Sequence, residues 1–449
     1  MSPFPHEFQR RRMAGKPCRN SLRFVKTGRR KMTEAAALKR EVCDAIDAMS
    51  AELLGVSHEI HGKPELAFHE HEAARILTAR LDAAGLPVTR GAFGLPTAYA
   101  SRFGERGPEV AILSEYDALP GIGHACGHNI IATTGLGASL ALAKLGAKLP
   151  GRVRYLGTPA EEMGGGKELM AREGAFDRLD AAMMVHPAGV DLVTMPCICV
   201  SEVAVTYRGR SAHASAMPHM GLNALDALIT AYQAIAQLRQ HIRPTERIHG
   251  IIKKGGSAPN IVPDETSGLF YVRAASAEEL APLKKRVQAC FEAGALATGC
   301  TAEIMWAKAD YLDLKTSMAI ADSYEANARS LGRDFFPLSK MPSGSAGSTD
   351  MGNVSHRVPS IHPMIACAPP HVVIHNPEFA KWAASELGDK ACLDGAKALA
   401  MTAIDFMTDA AMREKAKADF AVTAESSARS VAAAYDPDGA AHIGGCGCM

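Results

Sequence analysis

The chain has 449 residues, more than one hydrophobic core usually serves, so two domains are the starting expectation. Hydrophobic residues make up 47% and charged residues 22%, and a net charge of +1 gives no global field to attract nucleic acid or an anionic membrane. No apolar run reaches the roughly 20 residues of a membrane span, and eleven cysteines without a repeating framework favour reduced thiols and a cytoplasmic home.

Residues 1–32 are crowded with Lys and Arg against a single acid, Glu7. No apolar segment follows them, so they are no secretory signal. They read as a basic, unstructured extension ahead of a start near Met32. The other reading, a tail that touches nucleic acid, would bind in a steeply salt-dependent way. From Ala35, the residues Leu38, Val42, Ile46, Met49, Leu53 and Leu54 recur at helical spacing. A second helix is expected over 70–84. Residues 109–121 then read as a buried strand running into the polar loop SEYDALPG. A Gly/Ala-rich helix is expected over 129–146. Strands follow at 152–162, ending in TPAEE, and at 181–187, ending in a histidine. Each polar cluster falls past a strand's C-terminal end, where open α/β sheets keep their sites.

The middle changes pattern. A strand at 201–209, a helix at 222–240, strands at 246–254 and 266–273, a helix at 277–294 and a strand at 301–306 give the order β-α-β-β-α-β. That is a ferredoxin-like sandwich. The α/β pattern then resumes with a helix at 316–331, a Gly/Ser loop at 343–350 and a long helix at 387–412. The expected division is a catalytic domain in two parts, 33–199 and 313–415, around an inserted domain at 200–312. Residues 416–449 are small and polar and are expected to be an unstructured tail. Its GGCGCM end could hold a soft metal, but nothing else there supplies ligands.

Cys126 and His128, in HACGHN, stand two residues apart and can lean on one metal; a thiolate can also bridge two. Alone the pattern is weak, because most buried cysteines are inert. Glu161 and Glu162 add two adjacent acids at a strand end, whose like charges call for a cationic partner. One glutamate as ligand and its neighbour as general base is a natural division of roles. His186 ends an apolar strand, and His371 and His375 compete for a last position in PHVVIHNPEF. Cys, His, Glu, His and His at successive strand ends suit a borderline-soft divalent ion such as zinc or manganese.

Together these segments resemble the metallopeptidase family of aminoacylases and carboxypeptidase G (family M20). The nearest look is to its amidohydrolase branch of hippurate, auxin-conjugate and p-aminobenzoyl-glutamate hydrolases. The likeness rests on SEYDALPG, GHACGHN, TPAEE, VHP, RGRSAHAS, GGSAPNIVPD, GSTDMGNVS and IHNPEF, in family order over residues 35–412. It implies an α/β metallopeptidase-like catalytic domain with an inserted ferredoxin-like dimerisation and lid domain. It implies one or two divalent ions, zinc or manganese with cobalt also suited, held by Cys126, His128, Glu162, His186 and His375. Glu161 matches the general base, and Asp117 an acid that supports the site from behind. His213 resembles a histidine that reaches a site across a homodimer to hold the oxyanion, and Asn260 a substrate contact. Arg273 could pair with a substrate carboxylate. Two departures stand out: Asn129 where many relatives have Asp, and Glu115 where peptidase branches place a histidine. Both imply fewer ligands on one side of the centre, and so a weak or missing second ion.

The implied reaction is cleavage of the amide bond of a small N-acyl amino acid, an aminobenzoyl-glutamate-like conjugate or a dipeptide, by a metal-activated water. The first alternative is an aminohydrolase that removes ammonia from an amino-substituted aromatic acid. The second is a non-catalytic binding relative, which would lack the ligands or the base; this chain keeps all of them.

Overall fold

The structure is a computed structural model and describes residues 19–341 and 346–440. Two of the sequence readings therefore lie partly outside it. Residues 1–18 are not described, and the expected unstructured extension is helical from Arg19 onward, within a helix Arg19–Ala48. The Cys446/Cys448 end also lies outside the described residues.

The larger domain is built on a sheet of six strands, in spatial order Thr89–Arg90, Tyr99–Phe103, Arg152–Gly157, Glu109–Ser114, Ala181–Met183 and Ser360–Ile361. The last four run parallel, Tyr99–Phe103 runs antiparallel to both of its neighbours, and Thr89–Arg90 therefore shares the direction of the last four. Glu109–Ser114 lies near the middle and is buried at every position, as a parallel strand covered on both faces must be. The helices His128–Lys144 and Glu386–Thr408 pack against each other in the principal core. The apolar series from Leu38 to Leu53 does face this core, but it is split between two helices, Arg19–Ala48 and Ser50–His61. A second apolar cluster, with Leu113, Leu156, Met184 and Met351, fills the opposite face.

The inserted unit has the expected order. Its four antiparallel strands lie as Thr301–Trp306, Cys199–Arg208, Glu265–Ala274 and Arg247–Lys254. Helices Ala224–Leu238 and Ala277–Thr298 cover one face over a separate core that includes Val203, Val205, Tyr207, Phe270 and Phe291. Strand alternation points Val200, Glu202, Tyr271 and Arg273 the other way, and these four line a cavity shared with the larger domain.

The expected unstructured tail is corrected over most of its length. Residues Ala410–Val422 and Ala424–Ala433 form two further helices, and the chain then runs along the inserted unit. Ala434 is buried in that unit's core. Ala440 bridges Ala307, and Tyr435 bridges Ala309. Small residues such as Ala and Ser look featureless in sequence, yet here they let this strap lie close against its neighbours.

Candidate metal centre and active site

The loop after strand Glu109–Ser114 carries Glu115 and Asp117, then turns through Cys126 and Gly127 into the helix that opens at His128. Gly127 adopts φ +76°, and a Cβ there would stand 2.6 Å from Pro187 Cγ. Glycine alone lets this turn close against the segment bearing His186. Cys126 Sγ lies 3.4 Å from His186 Nε2. Asp117 Oδ1 lies 3.1 Å from His128 Nδ1, and its other oxygen accepts the Glu162 N–H at 2.9 Å. Asp117 thus turns the His128 ring and fixes the backbone of Glu162, the support that metal-binding imidazoles need.

Two turns at the site are strained. Ala160 and His375 take φ of +61° and +62°, in the left-handed region that non-glycine residues rarely adopt. The buried Glu70 carboxylate accepts the Ala160 N–H at 2.8 Å, holding the turn that presents Glu161 and Glu162. The His375 N–H is held by the Ala125 carbonyl at 2.9 Å.

The donors converge in two trios that share the Cys126 thiol. One is Cys126, His128 and His186; the other is Cys126, Glu162 and His375. Within each, the ligand atoms lie within 4.8 Å of one another. His375 Nε2 is 3.4 Å from Glu162 Oε2. His128 Nε2 and Glu162 Oε1 are buried without a hydrogen-bond partner. Orphaned buried atoms are costly, and a divalent cation would meet both. The residues therefore fit a bound divalent metal. A third trio, Glu115, His128 and Glu161, crowds the same space with carboxylates.

Without a cation the electrostatics are unsettled. Burial pushes the Cys126 thiol well up, and the Glu162 charge adds to this. Burial, then the repulsion of Glu115 and Glu162, raises the Glu161 carboxyl well above the usual range. Burial lifts Glu162 to about 7 and drops His186 to about 3. For His128 burial opposes protonation, but the Glu115 carboxylate and its other neighbours outweigh it, and its pKa rises. Bound cations would reverse much of this by favouring the anionic thiolate and carboxylates.

A cavity of about 550 Å³ opens over the centre. Cys126, Glu161, Glu162, His186 and His375 line its floor, and Arg273 reaches it from the inserted unit. Arg273 donates to Ser348 Oγ at 2.8 Å, so it is an ordered cavity residue rather than a free surface arginine. His371 is exposed and off the cavity wall, whereas His375 is on it. His213 and Asn260 are not brought to this cavity. Both are exposed on the inserted unit, where Ser215 and Ala216 donate to His213 Nδ1 and Ala214 donates to the Asn260 carbonyl.

The two departures resolve differently. Asn129 donates to Ser57 Oγ and the Ala383 carbonyl, both at 2.9 Å, and so ties helices together away from the donors. Glu115 lies inside the site, 3.3 Å from His128 Nε2. Its other oxygen meets Lys167 Nζ at 2.6 Å, and Lys167 meets Asp350 at 2.7 Å, all fully buried. Burial would neutralise Glu115, but the Lys167 ammonium overrides it and keeps the carboxylate charged. The expectation of fewer donors on that side is thus met by an extra carboxylate, not by a gap. Sequence reasoning did not single out Lys167, Asp350, Glu70 or His362, whose ring packs edge-on at 5.4 Å from His186. Asp350 sat within the GSTDMGNVS segment. Lys167 gave no signal, because a lysine in a short amphipathic helix reads as surface.

Comparison with known proteins places these features in context. Residues 111–421 match the model of peptidase family M20/M25/M40. The Xaa-Arg dipeptidase of Mus musculus is 40% identical over 412 residues, covering 89% of this chain and 95% of that protein. A p-aminobenzoyl-glutamate hydrolase component from Escherichia coli is 28% identical over 448 residues, covering 84% and 93%. A dinuclear metal binding peptidase of the M20 family from Bacillus subtilis shares the fold, with a TM-score of 0.60 at 21% identity over 80% of this chain and 99% of that one.

Proposed function

Because the chain belongs to peptidase family M20/M25/M40, and is thereby a metal-dependent hydrolase of amide and peptide C–N bonds, we propose that it is a dipeptidase releasing a basic C-terminal amino acid. The observation that carries this reading is the likeness to the Xaa-Arg dipeptidase along nearly the full length of both chains.

In this reading Cys126, His128, His186, Glu162 and His375 are the residues that would hold the divalent metal. Zinc or manganese suits the mixed sulfur, nitrogen and oxygen donors, and cobalt is the next candidate. A divalent ion held there would supply Lewis acidity toward the scissile carbonyl and the attacking water. Glu161, raised in pKa and lying on the cavity floor, takes the proton of the attacking water and passes it to the leaving amine nitrogen. One water is consumed, and one acid and one amine are released. Asp117 holds the His128 ring in place throughout. Arg273 pairs with the C-terminal carboxylate of the substrate.

The partner subunit's His213 completes the site by donating to the developing oxyanion, and Asn260 contacts substrate beside it. This requires a homodimer. The exposed Ile251, Ile252, Met217, Met220 and Ile261, around the edge strand Arg247–Lys254 and the His213 turn, support such an interface. No helix among the described residues is long and apolar enough to cross a membrane. The described cysteines are unpaired, which supports a cytoplasmic setting.

The test is to load the full chain with zinc or manganese and assay dipeptides, N-acyl amino acids, aminobenzoyl-glutamate and amino-aromatic acids for both free amino acid and ammonia. Metal-dependent release of arginine or lysine from dipeptides is expected. Ammonia without amino acid would overturn the reading in favour of an aminohydrolase.

A further inference from the structure

Glu202 sits on the open face of the inserted sheet, on the wall of the active-site cavity. Its Oε1 is screened from solvent and has no hydrogen-bond partner. No cation lies within ion-pair distance of it among the described residues. The two basic residues on the same wall are not paired with it: Arg273 donates through Nη1 to Ser348 and through Nε to His249, and Lys308 lies over the Tyr435 ring. Burial acts on the Glu202 carboxylate, and only the Tyr271 hydroxyl helps to support its charge. A half-buried carboxylate without a counter-ion is unfavourable on its own. Placed in a substrate cavity, it is a site for a cation that arrives with the substrate.

The sheet register says which part of the substrate. Val200 stands opposite Arg273, and Glu202 stands opposite Tyr271. Glu202 is therefore the diagonal neighbour of Arg273, and such neighbours are about 7–8 Å apart along a sheet face. That spacing is comparable with the span from the α-carboxylate of an amino acid to the cationic end of an extended arginine or lysine side chain. One residue can thus be read at both ends, with its carboxylate on Arg273 and its side chain reaching along the ladder.

We propose that Glu202 is the specificity residue of this enzyme, accepting the guanidinium or ammonium of a basic residue on the C-terminal side of the scissile bond. This rests on the dipeptidase reading above and adds to it the group that selects the side chain. A guanidinium would make charge-assisted hydrogen bonds to the orphaned oxygen, and a neutral isostere could not.

The experiment compares Ala-Arg with Ala-citrulline, which keeps the shape and loses the charge, on metal-loaded wild-type enzyme and on Glu202→Gln. Gln fills the same space, and metal content by elemental analysis confirms that the centre is intact. Wild type is expected to favour Ala-Arg. In Glu202→Gln, kcat/KM for Ala-Arg should fall by about 10–100-fold, chiefly through KM. The value for Ala-citrulline should stay within about threefold, because no charged contact is lost. Glu202→Arg should shift preference toward Ala-Glu. A wild-type enzyme indifferent to the charge would sink the basic-dipeptidase reading, and this inference with it. A wild-type preference that survives unchanged in Glu202→Gln would overturn the inference and leave the dipeptidase reading intact.

Discussion

Around Cys126 every donor is held by something else. Asp117 orients His128, Glu70 pins the turn before Glu161, and Lys167 fixes Glu115. His213 and Asn260, on the inserted unit, are exposed, and their two loops are tied mainly to each other, by the Ala214 N–H on the Asn260 carbonyl and the His213–Ile261 bridge. One region is finished within a single chain, and the other, in the proposed function, is completed by the partner subunit. The contrast matches the chemistry each is assigned. Metal donors have to converge before substrate arrives, because two cations tolerate little displacement of their ligands. An oxyanion donor is needed only once the substrate is enclosed, so it can ride on a separate unit that closes later.

The largest effect that would sharpen this contrast is expected at Glu161. Glu161→Gln should lower kcat by about 10²–10⁴-fold, the range of general acid–base catalysis. Bound metal, measured by elemental analysis, should be unchanged, because Glu161 belongs to neither cysteine-sharing trio. Loss of metal together with activity would make Glu161 a ligand and recast the third trio as the working one.

Lys167→Met is next, and it acts on stability. It leaves Glu115 and Asp350 buried without their shared cation. Removing one partner from a buried ion pair costs about 3–5 kcal/mol. A lower denaturation midpoint with weakened metal retention is expected. Unchanged stability would show that a bound ion, not Lys167, balances those carboxylates.

The third prediction concerns the open half of the comparison. His213→Ala should reduce kcat by about 10²–10³-fold, as removal of an oxyanion donor does, with metal content and melting temperature unchanged. Mixing it with Glu161→Gln should restore activity, since each heterodimer would contain one site with both groups intact. With random exchange of subunits in a two-fold dimer, about a quarter of wild-type activity is expected. No recovery, with heterodimers verified by mass, would confine His213 to its own chain.

The same contrast decides what the sequence reveals. Both layers and the β-α-β-β-α-β insertion are legible, because strand and helix periods differ and switch where the units meet. The candidate donors Cys126, His128, Glu162, His186 and His375, which the fold brings together, could be picked out because each sits at the end of an apolar strand or in a family-like segment. Lys167, Glu70 and Glu202 are not, since their meaning lies in partners 27 to 183 residues away or, for Glu202, in an oxygen that has none. The C-terminal strap is missed for a different reason. Its alanines and serines carry little hydrophobic period, and its stability comes from close approach to a surface that sequence does not display.

That strap gives the smallest predicted effect and the finest test of how the two units are coupled. Its first helix, Ala410–Val422, packs against helices Met318–Ser330 and Glu386–Thr408 of the catalytic domain, and its second packs against Ala277–Thr298 of the inserted unit. Tyr435 lies beneath Arg172 of the catalytic domain, 4.6 Å from ring centroid to guanidinium, and bridges Ala309 beside the cavity. One aromatic ring therefore joins the domain that holds the donors to the unit that holds Glu202 and Arg273. Tyr435→Ala removes two cation–π contacts, to Arg172 and Lys308, of about 0.5–1 kcal/mol each, too little to unfold either core. If the strap sets the angle between the units, KM should rise severalfold while kcat stays within about twofold, because the cavity wall shifts and the metal donors do not. A small drop in melting temperature with KM unchanged would reduce the strap to packing. In that case the mutual position of the two units would be set by Tyr311 instead, whose hydroxyl already donates to the Glu161 carbonyl at 2.5 Å and accepts from the Gly165 N–H at 3.0 Å.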